Sequence, residues 1–312
     1  MVDTAVATLA FTVFTPTHNR AAVIRRTFRS LQRQQADLFE WLVVDDGSSD
    51  DTATVVAACA AQADFPVRYV RQSHGHKKTA FNLGVRLARG EMLIVLDDDD
   101  ELAPDTLTRL SALWQDIPAA HRDAYVGVVG LCARADGHIV GDRFPRDVMD
   151  CTATDMFFLH GVRGEKFGCQ RTSVLRQHPY PEDVPGFVPE SLVWWAIAAQ
   201  GLRTRFVNEV LRTYHATPVS LSTGDASASR HALGLYLLNW SWVEQQLHYF
   251  RYAPVAFLLA AARLTRFRLA ARRAGHDALL KRYRVSRPWA RMLVAMMAPL
   301  GWLMDRRDRR SR

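Results

Sequence analysis

Four consecutive carboxylates, Asp97-Asp98-Asp99-Asp100, follow directly on the apolar run Met92-Leu93-Ile94-Val95-Leu96. Adjacent carboxylates repel one another, and hard divalent cations such as Mg²⁺ or Mn²⁺ select carboxylate oxygens. A bound cation would turn that repulsion into a site. A solvated acidic loop, or caps for a helix starting near Pro104, would explain the same residues. On an extended backbone alternate side chains share a face, so Asp97 and Asp99 point together while Asp98 and Asp100 diverge. A second acidic pair, Asp45-Asp46, opens the turn Gly47-Ser48-Ser49-Asp50. Lys77, in Gly75-His76-Lys77-Lys78-Thr79-Ala80-Phe81-Asn82, stands where a helix begins. There its charge and the free N–H groups both suit a phosphate, a solvated loop lysine being the plain alternative.

The elements that must position these groups alternate. Phe11–Thr15 reads as a strand running into Pro16-Thr17-His18-Asn19, and Ile24, Phe28 and Leu31 then recur at helical spacing. Trp41–Val44 is a second strand, and Ser49 or Asp50 can cap an Ala-rich helix over 52–63. Val67–Val70 is a third strand. Ala80, Leu83, Gly84 and Leu87 form the next helical stripe before the strand Met92–Leu96, and Tyr125–Leu131 adds another. Repeated β-α-β units imply an α/β fold with a parallel sheet and right-handed crossovers. Ligands of such sheets bind beyond the carboxyl ends of the strands, where both acidic clusters fall. From about 135 to 225 the pattern loosens, and beyond Ser229 it reads as helices.

At 312 residues the chain can bury a large core. Cys59, Cys132, Cys151 and Cys169 are far apart, which argues against a zinc site or disulfide framework and for a reducing compartment. The start, Met-Val-Asp, lacks the basic region of a signal peptide. The net charge of +8 is uneven. Residues 263–312 hold 15 Lys/Arg against 3 Asp, a net of +12, which leaves the first 262 residues at −4. A basic tail on a mildly acidic body suggests a polyanionic surface as partner, nucleic acid or anionic lipid. The apolar clusters 254–262 and 292–304 are too short for membrane spans.

Thr15-Pro16-Thr17-His18-Asn19-Arg20, Val44 to Asp50, Asn82-Leu83-Gly84 with Ala88-Arg89-Gly90-Glu91, and Leu96 to Leu102 stand in one order. Together they resemble the family 2 glycosyltransferases of the GT-A fold, over roughly residues 9–225. The resemblance implies a Rossmann-like, mostly parallel sheet with flanking helices. It implies a GT-A domain over 1–228, with a nucleotide-binding half at 9–103 and an acceptor half at 104–228. A helical, basic extension follows at 229–312. It further implies that Asp46, with Asp45, accepts from the N3–H of uracil and that Thr15 and Pro16 give backbone contacts to the base, with Asn19 and Asn82 also on the nucleotide. Lys77 meets the diphosphate. The DXD motif falls on Asp97 and Asp99, with Asp99 on a Mn²⁺ or Mg²⁺ ion, Asp97 toward ribose or a metal-bound water, and Asp98 beside the nucleotide. A late histidine, His215, approaches the metal or diphosphate. The general base is Glu190, in Gly186-Phe187-Val188-Pro189-Glu190-Ser191, where Ser191 departs from the commoner Glu-Asp pair. Asp183 and Glu182 are fallbacks, and Arg163-Gly164-Glu165-Lys166 lies near a sugar.

The activity so implied is inverting transfer of a hexosyl group from a nucleoside-diphosphate sugar, UDP-sugar favoured, to a hydroxyl of a lipid-linked glycan in surface polysaccharide synthesis. Arg263, Arg266, Arg268, Arg272 and Arg273 interleave with Leu264, Phe267 and Leu269, and Trp289 to Leu303 is flanked by arginines. Such a pattern suits an interfacial helix on anionic lipid, and so an enzyme peripheral on the cytoplasmic face of the membrane. A helical packing or dimerisation domain is the alternative. A nucleotidyltransferase would carry a Gly-rich phosphate loop after the first strand, unlike Thr15–Arg20. A catalytically inactive nucleotide-sugar-binding homologue is the other alternative. A nucleic-acid module explains the tail but not the acidic cleft, which would repel phosphates.

Overall fold

The computed structural model describes residues 9–215 and 231–310. The boundary expected at residue 228 lies outside them. Two compact units emerge, one from 9–152, 162–179 and 201–215, the other from 153–161, 180–200 and 231–310. The second unit thus draws in two segments from the loosely patterned middle of the chain.

In the first unit, β1 (Phe11–Thr17), β2 (Phe39–Asp45), β3 (Val67–Arg71) and β4 (Met92–Val95) form parallel ladders in the order β3-β2-β1-β4. The apolar runs of β2 and β4 predict those strands because both faces are covered, whereas β3 is only half-buried. Helices α1 (Ile24–Leu31), α2 (Thr52–Ala60) and α3 (Lys77–Leu87) make the crossovers. The strand order reverses between β1 and β4, which is the switch point where open α/β sheets bind ligands. Only Phe11 to Phe14 of β1 pair with β4, whereas β1 pairs with β2 as far as Thr17. Beyond Phe14 the two strands part.

The second half makes the sheet mixed. β5 (Glu101–Leu102), β6 (Tyr125–Arg134), β7 (Val148–Cys151), β8 (Lys166–Arg171) and β9 (Arg203–Tyr214) extend it, with α4 (Thr106–Gln115) and α5 (Thr172–Gln177) beside them. β8 inserts antiparallel between β4 and β6, β6 runs parallel to β9, and β5 and β7 pair antiparallel with β9.

The core under β1, β2 and β4 includes Phe11, Val13, Trp41, Val43, Ile94 and Leu96, all buried. Each such large side chain contributes about 1.5–3 kcal/mol by leaving water. Polar groups in this core are paired. Trp41 Nε1 donates to Thr15 Oγ1 at 3.0 Å. Glu40, fully buried, accepts from Thr12, the Arg89 N–H and Arg68 at 2.8–2.9 Å. That carboxylate ties β1, β2 and β3 to the turn before β4. Gly90 is required in this turn because a Cβ would lie 2.3 Å from the Phe11 carbonyl carbon. Gly84 likewise lets α3 seat against the Phe14 ring, which fixes where Lys77 stands.

The second unit contains α6 (Ser191–Ala198), α7 (Ala232–Trp240), α8 (Pro254–Arg273), α9 (Asp277–Arg282) and α10 (Pro288–Arg310). Phe157, Phe158, Trp195, Trp242, Tyr249 and Phe257 pack ring against ring, with Phe158 and Trp195 edge to face on Trp242 and Phe158 stacked on Tyr249. Trp195 is therefore core, and Trp194 is half-buried. α10 packs on α8 closely enough that a Cβ on Gly301 would lie 2.2 Å from the Ala262 carbonyl oxygen. Among the described residues no helix is long and apolar enough to cross a membrane.

Candidate active site

Asp97 to Asp100 follow β4 at the switch point, but not as an extended strand. The Asp100 N–H donates to the Asp97 carbonyl at 3.2 Å, closing a turn. Burial alternates along the turn: Asp98 and Asp100 are buried, Asp97 and Asp99 half-exposed. The turn, rather than a pleat, produces it.

Each aspartate has its own surroundings. Asp97 Oδ1 accepts from Lys77 Nζ at 2.8 Å, and its other oxygen lies 3.9 Å from Arg212. Burial acts to raise its carboxyl, but Lys77, Arg212 and Arg20 outweigh that and hold it below the usual range. Burial pushes Asp98 up to about 7, against the pull of the Thr17 hydroxyl and Arg20, which stands 3.4 Å away. Asp100 is also raised to about 7 by burial, although Arg212 at 3.2 Å and the His215 N–H at 2.9 Å favour its charge. The Asp99 backbone carbonyl accepts from Arg26, and its carboxylate makes no hydrogen bond or ion pair among the described residues. The motif thus offers one ionised carboxylate beside a lysine and one carboxylate facing outward.

His215 donates its N–H to Asp100, and its Nε2 lies 2.9 Å from Glu101. That contact engages Nε2, one of the two ring nitrogens of the histidine expected near a metal or diphosphate. Among the described residues no three His, Cys, Asp or Glu side chains converge on one point. Asp97 and Asp99 supply hard oxygen donors of the kind Mg²⁺ and Mn²⁺ take. Two carboxylates fit such an ion when a bound ligand's own oxygens complete its shell.

The second acidic pair braces loops. Asp45 accepts from the Ser48 N–H at 2.7 Å and from the Tyr69 hydroxyl, and burial together with Asp45 raises the phenol. Asp46 accepts from Gln72 Nε2 at 2.7 Å and the Gly75 N–H at 2.8 Å, and pairs with His74 at 2.9 Å. Asn19 adopts φ +55 and accepts from the Ser49 N–H at 2.7 Å, while its own N–H donates to Ser48. These contacts lock the β1 loop to the β2 loop and the β2 loop to the approach to α3. Thr15 is buried with its hydroxyl on Trp41, so only its backbone, and that of Pro16, can serve a ligand. Asn82 is buried within α3. His76, immediately before Lys77, has φ +71, a sparsely populated conformation for a non-glycine residue.

Glu190 belongs to the second unit, at the N-terminal boundary of α6. Its side chain is exposed and does not cap that helix, although its carbonyl accepts the Val193 N–H at 3.0 Å. The loop before it is held from two sides. Phe187 N–H donates to His231 Nδ1 at 3.2 Å, and Arg282 pairs with Asp183 at 2.9 Å. Gly234 of α7 is pressed against the same loop, since a Cβ there would lie 2.0 Å from the Phe187 carbonyl oxygen.

Arg212, near the end of β9, is the main site residue that the sequence motifs do not single out. It is 5% exposed, reaches Asp100 and Glu165 at 3.2 Å each, and lies over the Phe167 and Tyr214 rings. It brings Glu165 of the Arg163-Gly164-Glu165-Lys166 element into the acidic cluster. The one available signal was an arginine near the end of a strand, three residues before His215.

Residues 12–164 match the profile of "Glycosyl transferase family 2". The chain is 28% identical over 235 residues, 72% of its own length and 70% of the relative's, to a Campylobacter jejuni GalNAc(5)-diNAcBac-PP-undecaprenol beta-1,3-glucosyltransferase. Other curated relatives are 30–36% identical but matched over only 31–40% of their own length. Among solved structures, S. aureus TarS 1-349 in complex with UDP-GlcNAc superposes with a TM-score of 0.60 at 17% identity, covering 97% of this chain and 93% of that one. Mannosyltransferase PcManGT from Pyrobaculum calidifontis, in complex with GDP-Man and Mn²⁺, gives 0.56 at 21% identity, covering 95% and 86%. At these identities the likeness carries the fold, which is GT-A-like. The chain belongs to glycosyltransferase family 2, and it is a transferase enzyme of that class.

Proposed function

We propose that the protein transfers a hexosyl group, with inversion, from a UDP-sugar to a hydroxyl of a lipid-linked glycan in surface polysaccharide synthesis. The observation that carries this reading is the meeting of Lys77 with the Asp97–Asp100 turn at the β1/β4 switch point. A nucleoside diphosphate needs a strand edge for its base and cations for its phosphates. Among the described residues, the edge of β1 beyond Phe14, at Thr15 and Pro16, pairs with no strand on the β4 side. Lys77, with the N–H groups that open α3, supplies positive charge beside it. Asp45, Asp46 and Asn19 hold the loops that frame the base, and Asn82 supports α3 below the phosphates.

Asp97 and Asp99 would hold a Mg²⁺ or Mn²⁺ ion together with the donor's diphosphate. Bound there, a divalent ion neutralises the charge that develops on the leaving diphosphate. Lys77 shares that work and orients the leaving group. Glu190 takes the proton from the acceptor hydroxyl, which then attacks the anomeric carbon from the face opposite the diphosphate.

The lipid-linked acceptor is supported by the Campylobacter relative, whose name specifies an undecaprenol-linked substrate. On this reading the enzyme works at the inner face of the membrane, held there by its basic C-terminal region. The UDP preference draws on TarS, whose structure holds UDP-GlcNAc. Calorimetric titration with a panel of nucleoside-diphosphate sugars, with and without Mn²⁺, tests the whole reading. One donor should give heat that depends on the ion, and its product should have inverted anomeric configuration by NMR. Heat from no donor, or a retained configuration, would reject it.

A further inference from the structure

We infer that the outward face of α10 is the surface by which the protein sits on anionic lipid. Its other face is already used: Ala290, Leu293, Gly301 and Asp305 are buried. Trp289, Met292, Met296, Leu300 and Leu303 recur every three or four residues, so they line one stripe of the helix, and they are 37–71% exposed. Nothing among the described residues covers that stripe, although large apolar side chains lose by facing water. Trp302 stands beside it with the Arg306 guanidinium over its ring at 5.3 Å.

The charges choose the partner. Both ends of the stripe are basic, with Arg284, Arg287 and Arg291 at one end and Arg306, Arg309 and Arg310 at the other. The two acids of the helix are already neutralised. Asp308 accepts from Arg266 at 2.7 Å through both its oxygens, and Asp305 pairs with Arg273 and Arg309. A second copy laid on this stripe, in either direction, would set arginines against arginines. A nucleic acid would match the charge but offer nothing to the tryptophan, methionines and leucines. A membrane with anionic headgroups matches both, with the stripe among the upper acyl chains and the arginines at the phosphates.

This surface rests on the reading of the enzyme as peripheral on a membrane, and it can be tested apart from catalysis. The full chain is sedimented with vesicles of phosphatidylcholine alone and with vesicles containing phosphatidylglycerol in equal parts. Binding is expected only to the second, released by high salt. Met292→Ser combined with Met296→Ser and Leu300→Ser should weaken it by about tenfold or more. Arg306→Gln with Arg310→Gln should weaken it while making the remainder less sensitive to salt. Both variants should keep the wild-type melting temperature and donor-sugar heat, because the changed side chains are exposed and remote in sequence from the acidic turn. Equal pelleting with both vesicle types, or none, would overturn the proposal. So would a dimer in sedimentation velocity that the methionine variant splits while vesicle binding stays intact. If vesicle binding behaves as expected but no donor binds, the surface stands and the catalytic reading falls.

Discussion

Lys77 Nζ stands 2.8 Å from Asp97 Oδ1, so the first residue of α3 is tied to the turn that follows β4. The pair is half-exposed on both sides, which makes it an adjustable contact rather than a structural rivet. A diphosphate entering at this point competes with Asp97 for the lysine. Lys77→Ala is therefore expected to weaken UDP by about tenfold or more, the value of a charge-assisted contact, while leaving uridine unchanged. Calorimetry with the two ligands checks it. Equal loss for both would mean that Lys77 merely supports the loop.

Asp99 differs from its three neighbours in having no partner for its carboxylate among the described residues. Asp99→Ala should therefore leave thermal stability within about 0.5 kcal/mol of wild type, as for a surface change. It should nonetheless remove the Mn²⁺-dependent part of donor binding and lower kcat/KM by a factor on the order of a hundred to a thousand. Melting curves and initial rates across a Mn²⁺ series separate the two effects. Undiminished Mn²⁺ dependence would remove Asp99 from the site.

Arg212 answers to the opposite logic. It is a buried cation among Asp97, Asp100 and Glu165, and its loss strands the buried carboxylate of Asp100. Arg212→Met should cost up to about 3–5 kcal/mol at pH values well above 7, where Asp100 is ionised, the usual penalty for breaking a buried pair from one side. The deficit should shrink as pH falls, since protonated Asp100 no longer needs the cation. Denaturant melts at two pH values provide the check, and a deficit that is the same at both would show that Arg212 acts only through packing.

A carboxylate outside the cleft gives a cleaner pH profile. Burial raises Asp150, but hydrogen bonds from Arg205 at 2.9–3.0 Å and from Tyr125 outweigh it and hold the carboxyl below the usual range. Its folded pKa is lower than its unfolded one, so the stabilisation is present above the unfolded value and is lost as pH falls through the folded value. Asp150→Asn should melt earlier than wild type at pH 7, with the gap closing in acid. A gap that persisted unchanged at low pH would count against the charge as its source.

What the sequence could reveal was set by locality. β2 and β4 were visible because each carries a continuous apolar run, Trp41–Val44 and Met92–Leu96, with an acidic turn directly after it, and β1 because Phe11, Val13 and Phe14 lead into a Pro-containing turn. β8 was not, since Lys-Phe-Gly-Cys-Gln-Arg has neither alternation nor an aliphatic run. It fits between β4 and β6 because Gly168 presses on the Val128 carbonyl, where a Cβ would lie 1.9 Å away. Asp97–Asp100 was legible as a cluster but not as a turn, because one backbone hydrogen bond decides between a turn and a pleat. Arg212 was invisible as a site residue for a similar reason. Its partners Asp97 and Asp100 lie more than a hundred positions earlier, and only the pairing of β9 with β5 and β6 brings them together. In the tail, two apolar clusters could be read as membrane-facing or as packing. α8 buries Phe257, Ala260, Ala261 and Ala262 of its cluster, whereas α10 buries Leu293 and Gly301 of its own and leaves Met292, Met296, Leu300, Trp302 and Leu303 exposed.

The last expectation concerns how the helical unit serves the proposed base. Glu190 follows a loop whose backbone lies against Gly234, and the His231 ring accepts the Phe187 N–H beside it. Gly234→Ala would drive a methyl group into the Phe187 carbonyl, so either α7 or the loop must shift. The loop, with positive φ at Gly186 and exposed residues on both sides, is the softer of the two. A displacement of about an ångström at a proton-accepting carboxylate is enough to cost on the order of a hundredfold in rate. kcat should therefore fall while the affinity for UDP-sugar stays at the wild-type value, because the residues proposed to hold the donor lie in the other unit. Val188→Ala, which loosens the same loop without pushing it, should lower kcat less. If Gly234→Ala instead weakens donor binding as much as turnover, the loop does not position a catalytic group, and Glu190 loses its role as base.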